Sequence, residues 1–258
     1  TELDGNSEVT QLWDSTAWGY RENNLLMVTE RNPSEAHVFQ RGWKARASHV
    51  ILATGAIERN LVFTNNDRPG IMLASAVQCY LNEFGVIPGR LPVIFTNNSS
   101  AYQLAHELQA AETKVTAIVD SRPADLIGSE KNGLEIPLYA AHQISTAHGG
   151  KHIHAVSIRA EDGTTTKLDC DLLAISGGWN PAVHLFSQSR GTLAYDEGLA
   201  SFVPGRQVQN LSCVGAAAGI MNMASAMDRT VSTITTILLD CGFESPAFTV
   251  PKLVPSPD

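Results

Sequence analysis

The sequence predicts an α/β chain with two Rossmann-like units, one inserted in the other, and a β-meander beside them. Three observations carry that reading. Residues 48–53 and 211–214 are near-continuous apolar runs that end in small residues, as fully buried strands of a parallel sheet do. Residues 91–120 read strand, turn, helix, strand, which is the order and length of a βαβ unit. Residues 8–47 read as short strands separated by turn residues, the pattern of an antiparallel meander.

In order, the meander strands are expected at residues 8–13, 16–20, 24–30 and 37–45. Asp14-Ser15, Glu22-Asn23-Asn24 and Asn32-Pro33-Ser34 are the breaks between them. A helix is expected over residues 75–84, with Gly85 as its C-cap. The βαβ unit follows: a strand at 91–95, a helix at 99–111 with apolar residues three and four apart, and a strand at 114–119 that ends at Asp120. Residues 142–147, 152–160, 165–168 and 171–176 read as strands. The Glu161-Asp162-Gly163 turn makes a hairpin of two of them. The strand at 211–214 runs through a glycine-rich stretch into a helix at 224–239. The tail after Gly242 holds four prolines and reads as an extended linker.

Composition bounds the function. Of 258 residues, 43% are hydrophobic and 17% charged, enough apolar material for a sizeable core and too little charge for a disordered chain. The net charge of −8, with no Lys/Arg cluster, argues against nucleic-acid and anionic-membrane binding. The cysteines Cys79, Cys170, Cys213 and Cys241 form neither a C-x-x-C pair nor a zinc spacing. They read as buried free thiols in a reducing, cytoplasmic setting. The chain starts without Met or a signal sequence and has no apolar run of membrane-spanning length. It is expected to be an excised part of a longer soluble protein.

Two strand-end turns are candidate cofactor walls. Ala53-Thr54-Gly55-Ala56 and Gly215-Ala216 place small residues where a backbone or cofactor approaches closely, and an N–H-rich helix start favours anionic groups. Thr54, Gly55, Ala56, Gly215 and Ala216 are the candidate contacts of an outer domain. In the inserted unit, Thr96-Asn97-Asn98-Ser99-Ser100-Ala101 occupies the first βα turn, where a dinucleotide fold reads G-x-G-x-x-G/A. Ala101 fits the third position, while Thr96 and Asn98 replace the first two glycines. Asp120 lies 24 residues after Thr96, near the usual ribose-binding acid, and favours NAD over NADP; Arg122 weakens that preference. Asn97, Ser99 and Asp120 are the weaker candidates. A Rossmann shape without a nucleotide stays open as the other reading of this unit.

His142, His148, His152 and His154 lack a Cys or paired carboxylate at ligand spacing and read as surface histidines, so no metal site is expected. Glu58-Arg59 and Asp67-Arg68 read as solvated ion pairs. No Ser-His-Asp or Cys-His arrangement can be placed, and no catalytic residue is nominated. The fold class is therefore α/β, a Rossmann-like FAD/NAD(P)-binding two-domain fold with a β-meander and one domain incomplete at its N-terminus. Residues 1–85 and 183–245 make the outer FAD/NAD-type domain, 86–182 the inserted NAD-type domain, and 246–258 a linker.

Residues 49–59, with Ala53-Thr54-Gly55-Ala56-Ile57-Glu58-Arg59, and 66–74, with Asn66-Asp67-Arg68-Pro69-Gly70, resemble the alpha subunits of heterotetrameric sarcosine oxidases. So do Phe95-Thr96-Asn97-Asn98 and the block from Gly177-Gly178-Trp179-Asn180-Pro181 through His184 to Gly191. The resemblance implies a complex with beta, gamma and delta subunits that oxidises sarcosine with O2 to glycine, formaldehyde and peroxide. It implies FAD in the beta subunit, FMN near the subunit interface and NAD without redox turnover in the alpha subunit. Asn60 departs from the family's Pro. Ala216 stands where related reductases have an Asp that grips a flavin ribityl chain, which disfavours tightly bound FAD and suits NAD. Two other readings remain at this point: an FAD/NAD-dependent reductase or an opine dehydrogenase or cyanide synthase type of subunit, and a non-catalytic scaffold that docks other subunits.

Overall fold

The computed structural model describes residues 5–31, 33 and 37–244. It divides into two compact units: Thr1–Ile57 with Asn180–Asp258, and Glu58–Trp179. The first holds both ends of the chain and the second is the insertion.

The outer unit opens with β1 (Ser15–Arg21), β2 (Leu25–Arg31) and β3 (Gln40–Arg46), an antiparallel meander in the order β1-β2-β3. Residues 8–13 form turns and irregular chain, not the expected first strand. Their Asn6-Ser7-Glu8 approach bends back on itself, Val9 N donating to Asn6 O at 3.1 Å, and competes with extension. The β1–β2 turn uses Asn23 and Asn24 at φ 56° and 49°, a region Asn tolerates better than most side chains. Of the Asn32-Pro33-Ser34 break, only Pro33 lies within the described residues. Next come β4 (Val50–Leu52) and β5 (Ala56–Glu58), where the chain crosses to the inserted unit.

That unit contains β6 (Ile71–Leu73), α1 (Ala74–Phe84), β7 (Pro92–Thr96), α2 (Ala101–Ala110), β8 (Ala117–Asp120) and β9 (Leu138–Ala140). They are followed by β10 (His142–Gly149), β11 (Ile153–Ala160), β12 (Thr165–Asp169) and β13 (Leu172–Ser176). Five strands make a parallel sheet in the order β6-β13-β7-β8-β9. Its central strands are buried at every position and apolar up to their last residue, so alternate residues feed two cores. Ile94, Ile118 and Leu172 face α1 and α2, meeting Val77, Leu104 and Leu108. Val93, Phe95, Val119, Leu173 and Ile175 face the other way, onto the antiparallel sheet β10-β11-β12 through Ile144, Val156 and Ile158. Gly163, at φ 89°, closes the β11–β12 hairpin, and Gly85, at φ 63°, ends α1 by donating to Leu81 O.

The boundary between the units falls at residue 57, not at 85, and the return at 179–180, not at 182–183. The reason is β6. Its three residues pair in parallel with β13, so Ile71–Leu73 and the helix behind them are built into the inserted sheet. In the sequence, a three-residue strand followed at once by a helix carries no period of its own.

The chain returns through β14 (Trp179–Pro181), α3 (His184–Gln188), the hairpin β15 (Leu193–Asp196) and β16 (Ser201–Pro204), β17 (Leu211–Cys213) and α4 (Met223–Asp240). In this unit β4 and β17 pair in parallel, Leu52 beside Cys213. Tyr20, Val50, Leu52, Leu185, Phe186 and Leu211 form its core. Asn24 ties it together. Its Nδ2 donates to Ser48 O and Asn210 O at 3.1 and 2.9 Å, and Tyr20 OH donates to its Oδ1 at 2.8 Å. No described helix is long and apolar enough to cross a membrane. The tail at 246–258 lies outside the described residues.

Candidate nucleotide sites at two strand ends

In the outer unit, the parallel pair β4–β17 sets two strand ends side by side. Val214 N donates to Leu52 O at 3.0 Å and extends the pairing one residue past the strands. The next residues on one side are Ala53, Thr54, Gly55 and Ala56, and on the other Gly215 and Ala216. The structure thus brings together all five candidates of the outer unit. Gly55 and Gly215 both lie in the left-handed region, at φ 70° and 61°. A Cβ built on either would meet nothing within 4 Å, so the space beside both is open. Local packing does not demand glycine at these positions; the backbone conformation does. Thr54 is held by its own hydroxyl, which donates to Ala182 O at 2.8 Å, while Ala182 N donates to Gly55 O at 2.9 Å.

One expectation changes. Gly215–Ala218 is a single 3-10 turn, closed by Gly219 at φ 81°. The long helix begins at Met223, within one residue of the expected start, with Asn222 as N-cap accepting from Ser225 N at 3.0 Å. Gly215 and Ala216 therefore sit on a short turn after the strand and not on the first turn of α4. Three alanines between two glycines of positive φ favour a tight turn, and the side chain that caps α4, Asn222, comes three residues beyond Gly219.

In the inserted unit, Thr96, Asp120 and Ser176 end the neighbouring parallel strands β7, β8 and β13. Asn97, Ser99 and Asp120 lie at these neighbouring strand ends, and Asp120 and the Ser99 hydroxyl are already engaged. Asp120 is fully buried. Its Oδ1 accepts from Arg122 N and Nε at 2.9 and 3.1 Å, and its Oδ2 from Arg122 Nη2 at 2.8 Å and Tyr102 OH at 2.9 Å. Burial, then the Asp120 carboxylate, holds the Tyr102 phenol far above its ordinary range. The hydrogen bond to Asp120 raises the Arg122 guanidinium. Ser99 Oγ accepts from Arg122 Nη1 at 3.1 Å. Asp120 is thus not a free ribose acceptor, contrary to expectation: two residues past the strand end, an Arg reaches back to it.

The turn itself is organised by Asn98, which the sequence marked only as a missing glycine. Its Nδ2 donates to Ser176 O, Ser176 Oγ and Asn97 Oδ1, each at 3.1 Å. Its Oδ1 accepts from Ser100 N at 3.1 Å and Ser100 Oγ at 2.6 Å. Trp179 Nε1 donates to Ser100 Oγ at 2.9 Å. On the β13 side, a Cβ at Gly178 would come within 2.6 Å of the Arg59 guanidinium, and one at Gly177 within 2.9 Å of Asn60 O. Those glycines serve a close approach inside the protein.

Glu58 is likewise not the solvated ion pair expected. It is buried, and its Oε2 accepts from Ser75 N at 2.9 Å, a carboxylate on the first turn of α1. Among the described residues no group of three or more His, Cys, Asp or Glu is placed to hold a metal ion. Cys170 is buried, Cys79 and Cys213 are half-buried and Cys241 is exposed, so the expectation of four buried thiols holds only in part. Burial pushes the Cys170 thiol up to about 12 and Cys213 to about 11.

No protein-family model matches the chain. Among solved structures, it resembles L-proline dehydrogenase from P. horikoshii with a TM-score of 0.63 and 20% identity, over 90% of this chain and 42% of that one. It also resembles an FAD-dependent pyridine nucleotide-disulphide oxidoreductase from Desulfovibrio vulgaris with a TM-score of 0.63 and 15% identity, over 91% of this chain and 62% of that one. These likenesses show the fold, which is Rossmann-like as expected. Among curated sequences, the alpha subunit of sarcosine oxidase from Rhizobium meliloti (strain 1021) is 36% identical over 98% of this chain. That from Corynebacterium sp. (strain P-1) is 37% identical over 99% of it. The chain spans only 26% and 28% of the length of those two relatives. It is thus a relative of the sarcosine oxidase alpha subunit along one stretch of that subunit's length.

Proposed function

We propose that the chain is part of the alpha subunit of a sarcosine oxidase complex and supplies a nucleotide-holding, structural region, with amine oxidation carried out elsewhere. The observation that carries this reading is 36–37% identity to such subunits over nearly the whole chain. In this reading the complex, with beta, gamma and delta partners, converts sarcosine, O2 and water to glycine, formaldehyde and peroxide, with FAD in the beta partner and FMN near the subunit interface.

The nucleotide is assigned to the outer unit. In open α/β sheets ligands bind beyond the carboxyl ends of parallel strands, where β4 and β17 end. Gly55 and Gly215 leave open space there, which is the fit that a closely approaching diphosphate needs. Ala216 puts a methyl group, not a carboxylate, beside Gly215, and this favours NAD over a ribityl-bearing flavin. Bound NAD supplies a hydride acceptor in principle; here Thr54, Gly55, Ala56, Gly215 and Ala216 position it as a structural element.

Calorimetric titration of NAD into the full alpha subunit that carries this stretch tests this. The expected result is a saturable heat that Gly215→Val abolishes and Gly133→Val leaves intact, Gly133 being a left-handed, open glycine in the inserted unit. Absence of saturable heat in the unmodified protein refutes the assignment of NAD.

A further inference from the structure

We infer that the dinucleotide crevice of the inserted unit is filled by the unit's own side chains, with Asn98 in the place of the pyrophosphate and Arg122 in the place of the adenosine ribose. This does not depend on the outer unit holding NAD.

The phosphate half of the argument rests on backbone donors. A dinucleotide fold binds its diphosphate with free N–H groups in the first βα turn and at the start of the following helix. Here four of those groups, on Asn97, Asn98, Ser100 and Tyr102, are taken. Asn97 N donates to Ser176 O at 3.3 Å, Asn98 N to Thr96 Oγ1 at 3.1 Å and Ser100 N to Asn98 Oδ1 at 3.1 Å. Tyr102 N donates to Ser99 O at 3.2 Å. Asn98 supplies both the acceptor that a phosphate oxygen would provide and an amide that anchors the turn to β13. Thr96 Oγ1 completes the closure by donating to Asn98 O at 2.9 Å.

The ribose half rests on charge. The acid at the end of the second strand normally accepts from ribose hydroxyls. Asp120 accepts instead from three Arg122 donors and the Tyr102 hydroxyl. Ribose hydroxyls bring no positive charge to replace the Arg122 guanidinium, which already pairs with the buried carboxylate from inside the fold. Nor is Arg122 free to receive a 2′-phosphate. Its Nε and Nη2 lie on Asp120 and its Nη1 on Ser99 Oγ. The side chains that replaced two glycines and followed the acid have therefore exchanged a ligand site for an internal network across β7, β8 and β13.

Hydrogen exchange with NAD, NADP and ADP-ribose, each at millimolar concentration, tests the inference on the unmodified protein. Exchange in residues 96–101 and 120–122 is expected to be unchanged by all three; slowing there by any of them overturns the closure. A second arm uses Asn98→Gly alone and with Arg122→Ser, each checked for a cooperative unfolding transition. The single variant keeps the Arg122–Asp120 pair and so guards against failure of the double variant to fold. It restores the second glycine and frees the Ser100 N–H. Nucleotide-dependent slowing of at least about tenfold in residues 96–101 is expected in a folded variant. A folded Asn98→Gly protein that gains none, with the double variant unfolded or equally silent, contradicts the role given to these side chains.

Discussion

Arg122 holds Asp120 through both carboxylate oxygens, with Nε 3.1 Å from Oδ1 and Nη2 2.8 Å from Oδ2, although the two residues are only two apart in sequence. Asp120 is fully buried and Arg122 mostly so. Removing one partner of such a pair leaves a buried charge without its counter-ion. Arg122→Ala is expected to destabilise the inserted unit by about 3 kcal/mol, the low end for buried pairs because water reaches part of the guanidinium. Urea unfolding followed by fluorescence measures it. A loss below about 1 kcal/mol would mean that the pair behaves as a surface contact.

Asn24 gives a comparable test in the outer unit. Asn24→Ala removes the acceptor of Tyr20 OH and the donor to two carbonyls, and puts Ala at φ 49°. The expected cost is about 3 kcal/mol from unpaired groups and left-handed strain. Asn24→Gly removes the same bonds without the strain and is expected to recover about 1 kcal/mol. Equal losses in the two variants would show that the turn conformation costs nothing.

Glu58 is a third case. Its carboxylate accepts from an N–H in the first turn of α1, and Glu58→Ala is expected to cost about 1–2 kcal/mol. Glu58→Gln keeps an acceptor and loses the charge, so it is expected to fall between the two. Thermal unfolding of the three proteins orders them, and a Gln variant as unstable as Ala would assign the whole effect to charge.

The thiols set an alkaline limit. In the folded chain burial raises Cys213 to about 11 and Cys170 to about 12, against an ordinary thiol value of 9.0, and raises Tyr20 from 10.0 to about 12. Between those values the unfolded chain has released protons that the folded chain still holds. The contribution of these groups is therefore complete below about pH 9 and is lost as pH rises toward 11 and 12. Cys170→Ala is expected to flatten the fall in stability over that window, and an unchanged slope would exclude Cys170 as a source. In the native protein at neutral pH, Cys241 is expected to react first with a thiol reagent and Cys170 last, because Cys241 is exposed while Cys170 is buried and its thiol is held protonated.

Much of the architecture was legible because the signals were local and periodic. The apolar runs at 48–53 and 211–214 announced buried parallel strands, and the strand, turn, helix, strand order over 91–120 announced the βαβ unit around Ile94 and Ile118. Gly85 and Gly163 marked a helix end and a hairpin turn through their need for positive φ. Strands that depend on distant partners were not legible: β6 and β9 have three residues each and exist through β13 and β8. The same division runs through the candidate sites. Spacing alone identified Asp120 as the acid after the second strand. Its pairing with Arg122 and the hydrogen bond it accepts from Tyr102 depend on side-chain directions that spacing does not encode. Asn98 was read as a loss, a glycine replaced, when its amide is what holds the turn together. Gly55 and Gly215 were read as small residues at strand ends, and the pairing of those ends, β4 with β17, joins segments more than 150 residues apart in the chain.

The central claim is that nucleotide is held at the strand ends of the outer unit and excluded from those of the inserted unit. Hydrogen exchange of the whole protein with and without saturating NAD reads both in one experiment. The account predicts slower exchange in residues 53–56 and 214–219 and no change in residues 96–101 and 120–122. Protection of the second pair of segments with none in the first would contradict it.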